Sequence, residues 1–110
     1  MTPEGKVKAF VRKVLDYNRV YYVMPVTGGY GRSGAPDFLC CINGQFVGFE
    51  CKAAAGHATV LQLKAMQDIE SCGGRAWLVT PHTAATVLQL LAKLEIPPEN
   101  APKRKRPKAS

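Results

Sequence analysis

The sequence predicts an α/β domain, with a mixed central sheet flanked by helices in the order α-β-β-β-α-β-α. Three observations carry that prediction. Apolar residues recur at helical spacing in three segments, and short runs rich in Val, Tyr and Phe lie between them. Asn43-Gly44 separates two of those runs and is the sequence of a two-residue hairpin with a type I′ turn. The middle helical segment joins the third and fourth strands, and a crossover of that kind makes them parallel.

Each element has its own local signal. Thr2-Pro3-Glu4 opens the first helix: Thr2 caps, Pro3 suits the first helical position and Glu4 favours the positive end of the dipole. Val7, Phe10, Val11, Val14 and Leu15 give that helix one apolar face, and it should end near Tyr17 or Asn18. Arg19–Val26 reads as a strand. Thr27–Gly34 is a loop with four glycines, ended by Pro36 at a position a strand start tolerates. Asp37–Ile42 and Gln45–Ala53 are the hairpin strands. Thr59–Cys72 is the second helix, with Leu61, Ala65, Ile69 and Cys72 on its inward side, stopped by Gly73-Gly74. Arg75–Thr80 is the fourth strand. Pro81 or His82 begins a third helix that turns Val87, Leu88, Leu91 and Leu94 inward, and Pro97-Pro98 ends it.

The 110 residues suffice for one domain, assigned to residues 1–96, followed by a basic, disordered tail over 97–110. A hydrophobic content of 46% excludes wholesale disorder. No apolar run reaches the roughly 18 residues of a membrane span, and no signal peptide is expected. The formal charge is +7. Residues 1–96 hold ten Lys/Arg against seven Asp/Glu, whereas residues 97–110 hold five against one. The tail therefore carries more than half of the excess and suits a polyanion. Cysteines 40, 41, 51 and 72 form no Cys-x-x-Cys pair, so a structural zinc site is not expected. All four read as small buried hydrophobes in a reducing compartment, with Cys40 and Cys41 on opposite faces of a strand.

The hairpin places the chemistry. A two-residue turn pairs Ile42 with Gln45, and counting back opposes Asp37 to Glu50. Opposed Cβ atoms lie about 4.5–5.5 Å apart, close enough for two carboxylates to repel. A hard divalent cation, Mg²⁺ or Mn²⁺, resolves that conflict. Lys52 projects from the same face as Glu50. Two acids and one base around an ion suit metal-assisted phosphodiester hydrolysis, with Lys52 orienting water or offsetting transition-state charge. The competing reading is a structural cross-strand cluster in which Lys52 offsets an acidic pair.

These residues resemble a known family. Pro36-Asp37, a hairpin, then Glu50-Cys51-Lys52 matches the PD-(D/E)XK nuclease signature. Together with Gly34, Gly56, Gln62 and Gly73-Gly74, it looks like the small stand-alone form of the virus-type replication–repair nuclease (VRR-NUC) domain over roughly residues 2–80. The resemblance implies a restriction-endonuclease-like core. It implies Asp37, Glu50 and the main-chain carbonyl of Cys51 as metal ligands, Lys52 as the catalytic lysine, Gln62 as a supporting residue, and Glu4 completing the acidic cluster, through water if not directly. Cys51 departs slightly from the family pattern, where an aliphatic residue is more usual. Gln62 also fits a capping box with Thr59, and Glu4 also fits a helix-dipole role.

The resulting expectation is a Mg²⁺- or Mn²⁺-dependent endonuclease acting on branched or structured DNA, similar to a Holliday-junction resolvase. It would work as a homodimer, in the cytoplasm of a bacterial or phage-infected cell, without membrane or small-molecule cofactor. DNA contacts are assigned to Tyr30, Arg32 and Ser33 in the Gly-rich loop and to Lys103, Arg104, Lys105 and Arg106 in the tail. Two alternatives remain open: a nicking or restriction-like nuclease of the same superfamily, and a non-catalytic DNA-binding protein.

Overall fold

A computed structural model describes residues 1–26, 33–87 and 89. The described chain is a small α/β domain with the order α1 (Pro3–Tyr17), β1 (Tyr21–Val23), β2 (Phe38–Ile42), β3 (Gln45–Cys51), α2 (Val60–Ser71) and β4 (Arg75–Val79). The four strands form one sheet in the order β1-β2-β3-β4. The first two pairings are antiparallel and β3–β4 is parallel, as the helical crossover requires. Residues 84–87 and 89 are helical, after a turn over 81–83. Leu88, Leu91, Leu94 and Pro97-Pro98 lie outside the described residues, as does the tail.

The helix signals act as expected. Thr2 Oγ1 accepts the Gly5 N–H at 2.9 Å, Pro3 occupies the first turn and Asn18 closes α1. Thr59 and Gln62 form a reciprocal capping box at the start of α2. Asn43 and Gly44 have φ of 52° and 81°, the two positive values a type I′ turn needs. The ladder then runs in the anticipated register, from Ile42↔Gln45 to Phe38↔Phe49.

Strand ends differ from the sequence reading. The first strand spans three residues, not eight; at its start Arg19 adopts φ 56°, outside the extended region, and is excluded from the strand. The β2–β3 ladder stops one pair short of Asp37↔Glu50. Continued register would set Pro36 opposite Cys51, and proline has no N–H to return. The Asp37 carboxylate takes the Cys51 N–H instead, Oδ2 accepting at 2.9 Å.

The two sheet faces are unequal. One carries Phe38, Cys40, Ile42, Val47, Phe49, Cys51 and Val79, packed with Val7, Val11, Val14 and Leu15 of α1 and with Val87. Those residues form the hydrophobic core of the described chain, and Pro36 is buried on the opposite face. The other face carries Leu39, Cys41, Phe46 and Gly48 and is met by α2, which buries no residue fully. Ala65 and Ile69 are half-buried, but Leu61 and Cys72 are exposed, against the expectation that all four turn inward. Gly48 permits a close local approach: a Cβ there would stand 3.0 Å from Pro36 and 3.2 Å from Ile69. Pro36 is buried at that point, while Phe46 beside it stays exposed.

The cysteines divide along the same line. Cys40 and Cys51 are buried, and desolvation pushes both thiols up to about 12, which leaves them inert. Cys41 and Cys72 are exposed, which corrects the reading of all four as buried. Cys41 alternates onto the thinly covered face, and Cys72 caps the C-terminus of α2.

Gly34 fixes the segment before β2. Its φ is 80°, and a Cβ there would lie 2.6 Å from the backbone of Leu61. Gly34→Ala is expected to lower stability by about 2 kcal/mol or more, since left-handed strain and a backbone clash add. Urea denaturation at constant m-value measures it; a loss under roughly 0.5 kcal/mol contradicts this close approach.

Candidate metal and catalytic site

The parallel end of β3 gathers the sequence-predicted residues. Glu50 and Lys52 alternate onto one face, and Asp37, just before β2, joins them. Glu50 is only 1% exposed, the one charged residue buried among those described. Lys52 Nζ lies 3.6 Å from Glu50 Oε2, and both side chains are largely enclosed. The Lys52 N–H donates to the Val79 carbonyl at 2.9 Å, so β4 holds the backbone beneath that side chain. The ladder ends at Phe38↔Phe49, the pair before Asp37 and Glu50, and Asp37 is anchored through the Cys51 N–H.

The electrostatics follow from that enclosure. Burial raises the Glu50 carboxyl from 4.5 to about 7; the Asp37 charge pushes the same way, Lys52 opposes, and Glu4 adds a smaller upward push. Glu50 Oε1 is buried with no hydrogen-bond partner among the described residues. Such an atom is costly to a fold unless something further completes it.

Lys8 is the participant that the sequence reading missed. Its Nζ lies 3.5 Å from Asp37 Oδ1. Glu4, Lys8 and Arg12 recur every fourth residue and so share one face of α1. That spacing was visible in the sequence, but nothing in it tied the face to Asp37. Each carboxylate thus has its own lysine, Asp37 with Lys8 and Glu50 with Lys52.

The other candidates are placed as follows. Glu4 is half-buried in the first turn of α1, near enough for its charge to reach Glu50. Gln62 Oε1 accepts the Thr59 N–H at 2.8 Å, so that oxygen serves the helix cap. Ser33 is exposed in the turn before β2. Tyr30, Arg32, Lys103, Arg104, Lys105 and Arg106 lie outside the described residues.

The donor set suits a hard divalent ion: carboxylate oxygens, one of them buried and unpartnered. Among the described residues no three His, Cys, Asp or Glu side chains cluster as a cage. Main-chain oxygen, water or a substrate phosphate would therefore complete the shell, the usual condition for Mg²⁺. No helix among the described residues is long and apolar enough to cross a membrane. No protein-family model matches the chain, and no match to a curated protein reaches significance.

Proposed function

We propose that this protein is a metal-dependent DNA endonuclease of the PD-(D/E)XK type, related to the stand-alone VRR-NUC domain and acting on branched DNA as a homodimer. The burial of Glu50 with an unpartnered oxygen beside Lys52 carries this reading. A purely structural pair would gain more from apolar residues of similar volume, because desolvating a charge costs more than an imperfect ion pair returns. The arrangement makes sense where a cation and a phosphate complete it.

In that role Asp37, Glu50 and the Cys51 carbonyl would hold Mg²⁺ or Mn²⁺, with Glu4 contributing through water. The ion supplies a lowered water pKa and charge stabilisation on the phosphate. Asp37 is fixed through Oδ2 by the Cys51 N–H, so Oδ1, beside Lys8, keeps one direction. The Lys52 ammonium lies against Glu50 and its backbone N–H is anchored on Val79, so a phosphate bound at this site would meet that ammonium. There it orients the attacking water and offsets charge as water adds to phosphorus and the bond to the leaving oxygen breaks.

Cleavage of a four-way junction, a flap, a duplex and a single strand tests this directly, each with Mg²⁺, with Mn²⁺ and with EDTA. The junction should be cut fastest and EDTA should abolish cutting. Binding without cleavage under either metal favours a non-catalytic DNA-binding protein, and equal cutting of all four substrates removes the resolvase assignment.

A further inference from the structure

Two clefts run along α1 and meet at Lys8. One is lined by Thr2, Pro3, Glu4, Gly5, Lys8 and Ala53, and lies directly past Lys52 in the chain. The other continues from Gly5 and Lys8 to Arg12, Lys13 and Asp16. Gly5 and Lys8 line both, so the clefts form one furrow that leaves the candidate site along the helix.

Its charge is ordered. The acidic end is Glu4, at the candidate site. Lys8, Arg12 and Lys13 follow, and Arg12 and Lys13 are exposed. Asp16 closes the far end, where its carboxylate accepts the Tyr22 hydroxyl at 2.7 Å. Lys8 and Arg12 stand four residues apart, about 6 Å along the helix axis, on one face. A polyanion laid in the furrow therefore meets successive cations and ends at the carboxylates.

We propose that this furrow is the track for the phosphate backbone of the substrate strand, with Lys8 its junction with the reaction centre. Lys8 is a positioning residue: it pairs with Asp37 at 3.5 Å, yet its side chain remains 38% exposed and open to a phosphate in the furrow. The strand runs along α1 and meets the candidate site at Glu4 and Lys8, beside Ala53, where Lys8 pairs with Asp37. Only the direction of the track rests on the nuclease reading, and its test is a binding measurement that needs no cleavage.

Binding of fluorescein-labelled duplex and four-way junction is measured by anisotropy in EDTA from about 50 to 300 mM KCl, at about pH 7.5. Lys8→Gln, Arg12→Ala and the double variant are compared with Lys64→Ala, which removes the same charge from α2. Lys8→Gln and Arg12→Ala should each weaken binding about 3- to 10-fold and lower the salt slope by about 0.9 for every phosphate left without its cation. Lys64→Ala should stay within about twofold of wild type. Lys8→Arg should restore the salt slope, which a merely structural role for Lys8 would not require. Equal losses in all variants, or none in the double variant, overturn the track. Furrow variants that lose binding while the wild type never cuts with Mg²⁺ or Mn²⁺ would uphold the track and remove the nuclease reading instead.

Discussion

Lys52→Met lowers the single-turnover rate of junction cleavage by about 10²- to 10⁴-fold at saturating protein, the range for removing one positioned charge or proton-transfer group. Methionine keeps the packed stem of a side chain that is only 12% exposed, so the loss reports the ammonium and not the fold. The fall should lie in the rate of bound substrate, with affinity in EDTA changing much less. A variant that cuts within a few-fold of wild type removes Lys52 from catalysis. An equal fall in rate and affinity would assign it to substrate binding alone.

Glu50→Gln should abolish cleavage and yet stabilise the metal-free protein at pH 8. The folded state holds the Glu50 proton up to about pH 7, whereas the unfolded chain releases it near 4.5. Between those values the folded state binds more protons, so stability falls as pH rises and levels off above 7. The interval corresponds to a loss of about 3 kcal/mol. Glutamine carries no charge to bury and escapes that loss. Urea midpoints in EDTA should show the variant more stable by about 1–3 kcal/mol at pH 8 and near equal to wild type at pH 4. Mn²⁺ at saturating concentration should raise the wild-type unfolding free energy, by about 2.7 kcal/mol at a hundred times Kd, and leave the variant unmoved. A variant destabilised equally at both pH values would mean that Glu50 serves packing.

These two effects point in opposite directions for one residue, as expected where a fold keeps a group for reactivity at a cost in stability. The thin face of the sheet shows the same compromise. Gly48 lets Pro36 and α2 come close to the sheet, and apart from Pro36 that side encloses no fully buried apolar side chain among the described residues. Most packing energy comes from the α1 face, whose core residues end at Cys51, next to Glu50.

Much of this was legible in the chain because it is local. The Asn43-Gly44 turn dictates its own register, and alternation from that turn puts Glu50 and Lys52 on one face whatever packs above them. Thr2 and Thr59 cap helices through atoms three residues away. A two-residue strand period and a capping rule need no knowledge of the rest of the molecule.

Tertiary structure alone decided the remainder. Whether Glu50 is charged depends on how completely its surroundings exclude water, and periodicity carries no measure of that exclusion. The pairing of Lys8 with Asp37 joins residues 29 positions apart and exists because α1 lies over the end of β3. The exposure of Cys41 and Cys72 reflects where α2 lies: it packs on β3 and β4, whereas Cys41 sits on β2 and Cys72 ends the helix itself. By itself the sequence determined the order of elements, the hairpin register and the residues at the end of β3. The packing of α1 across that end decided which charges meet, and only the folded chain sets the dielectric in which they meet.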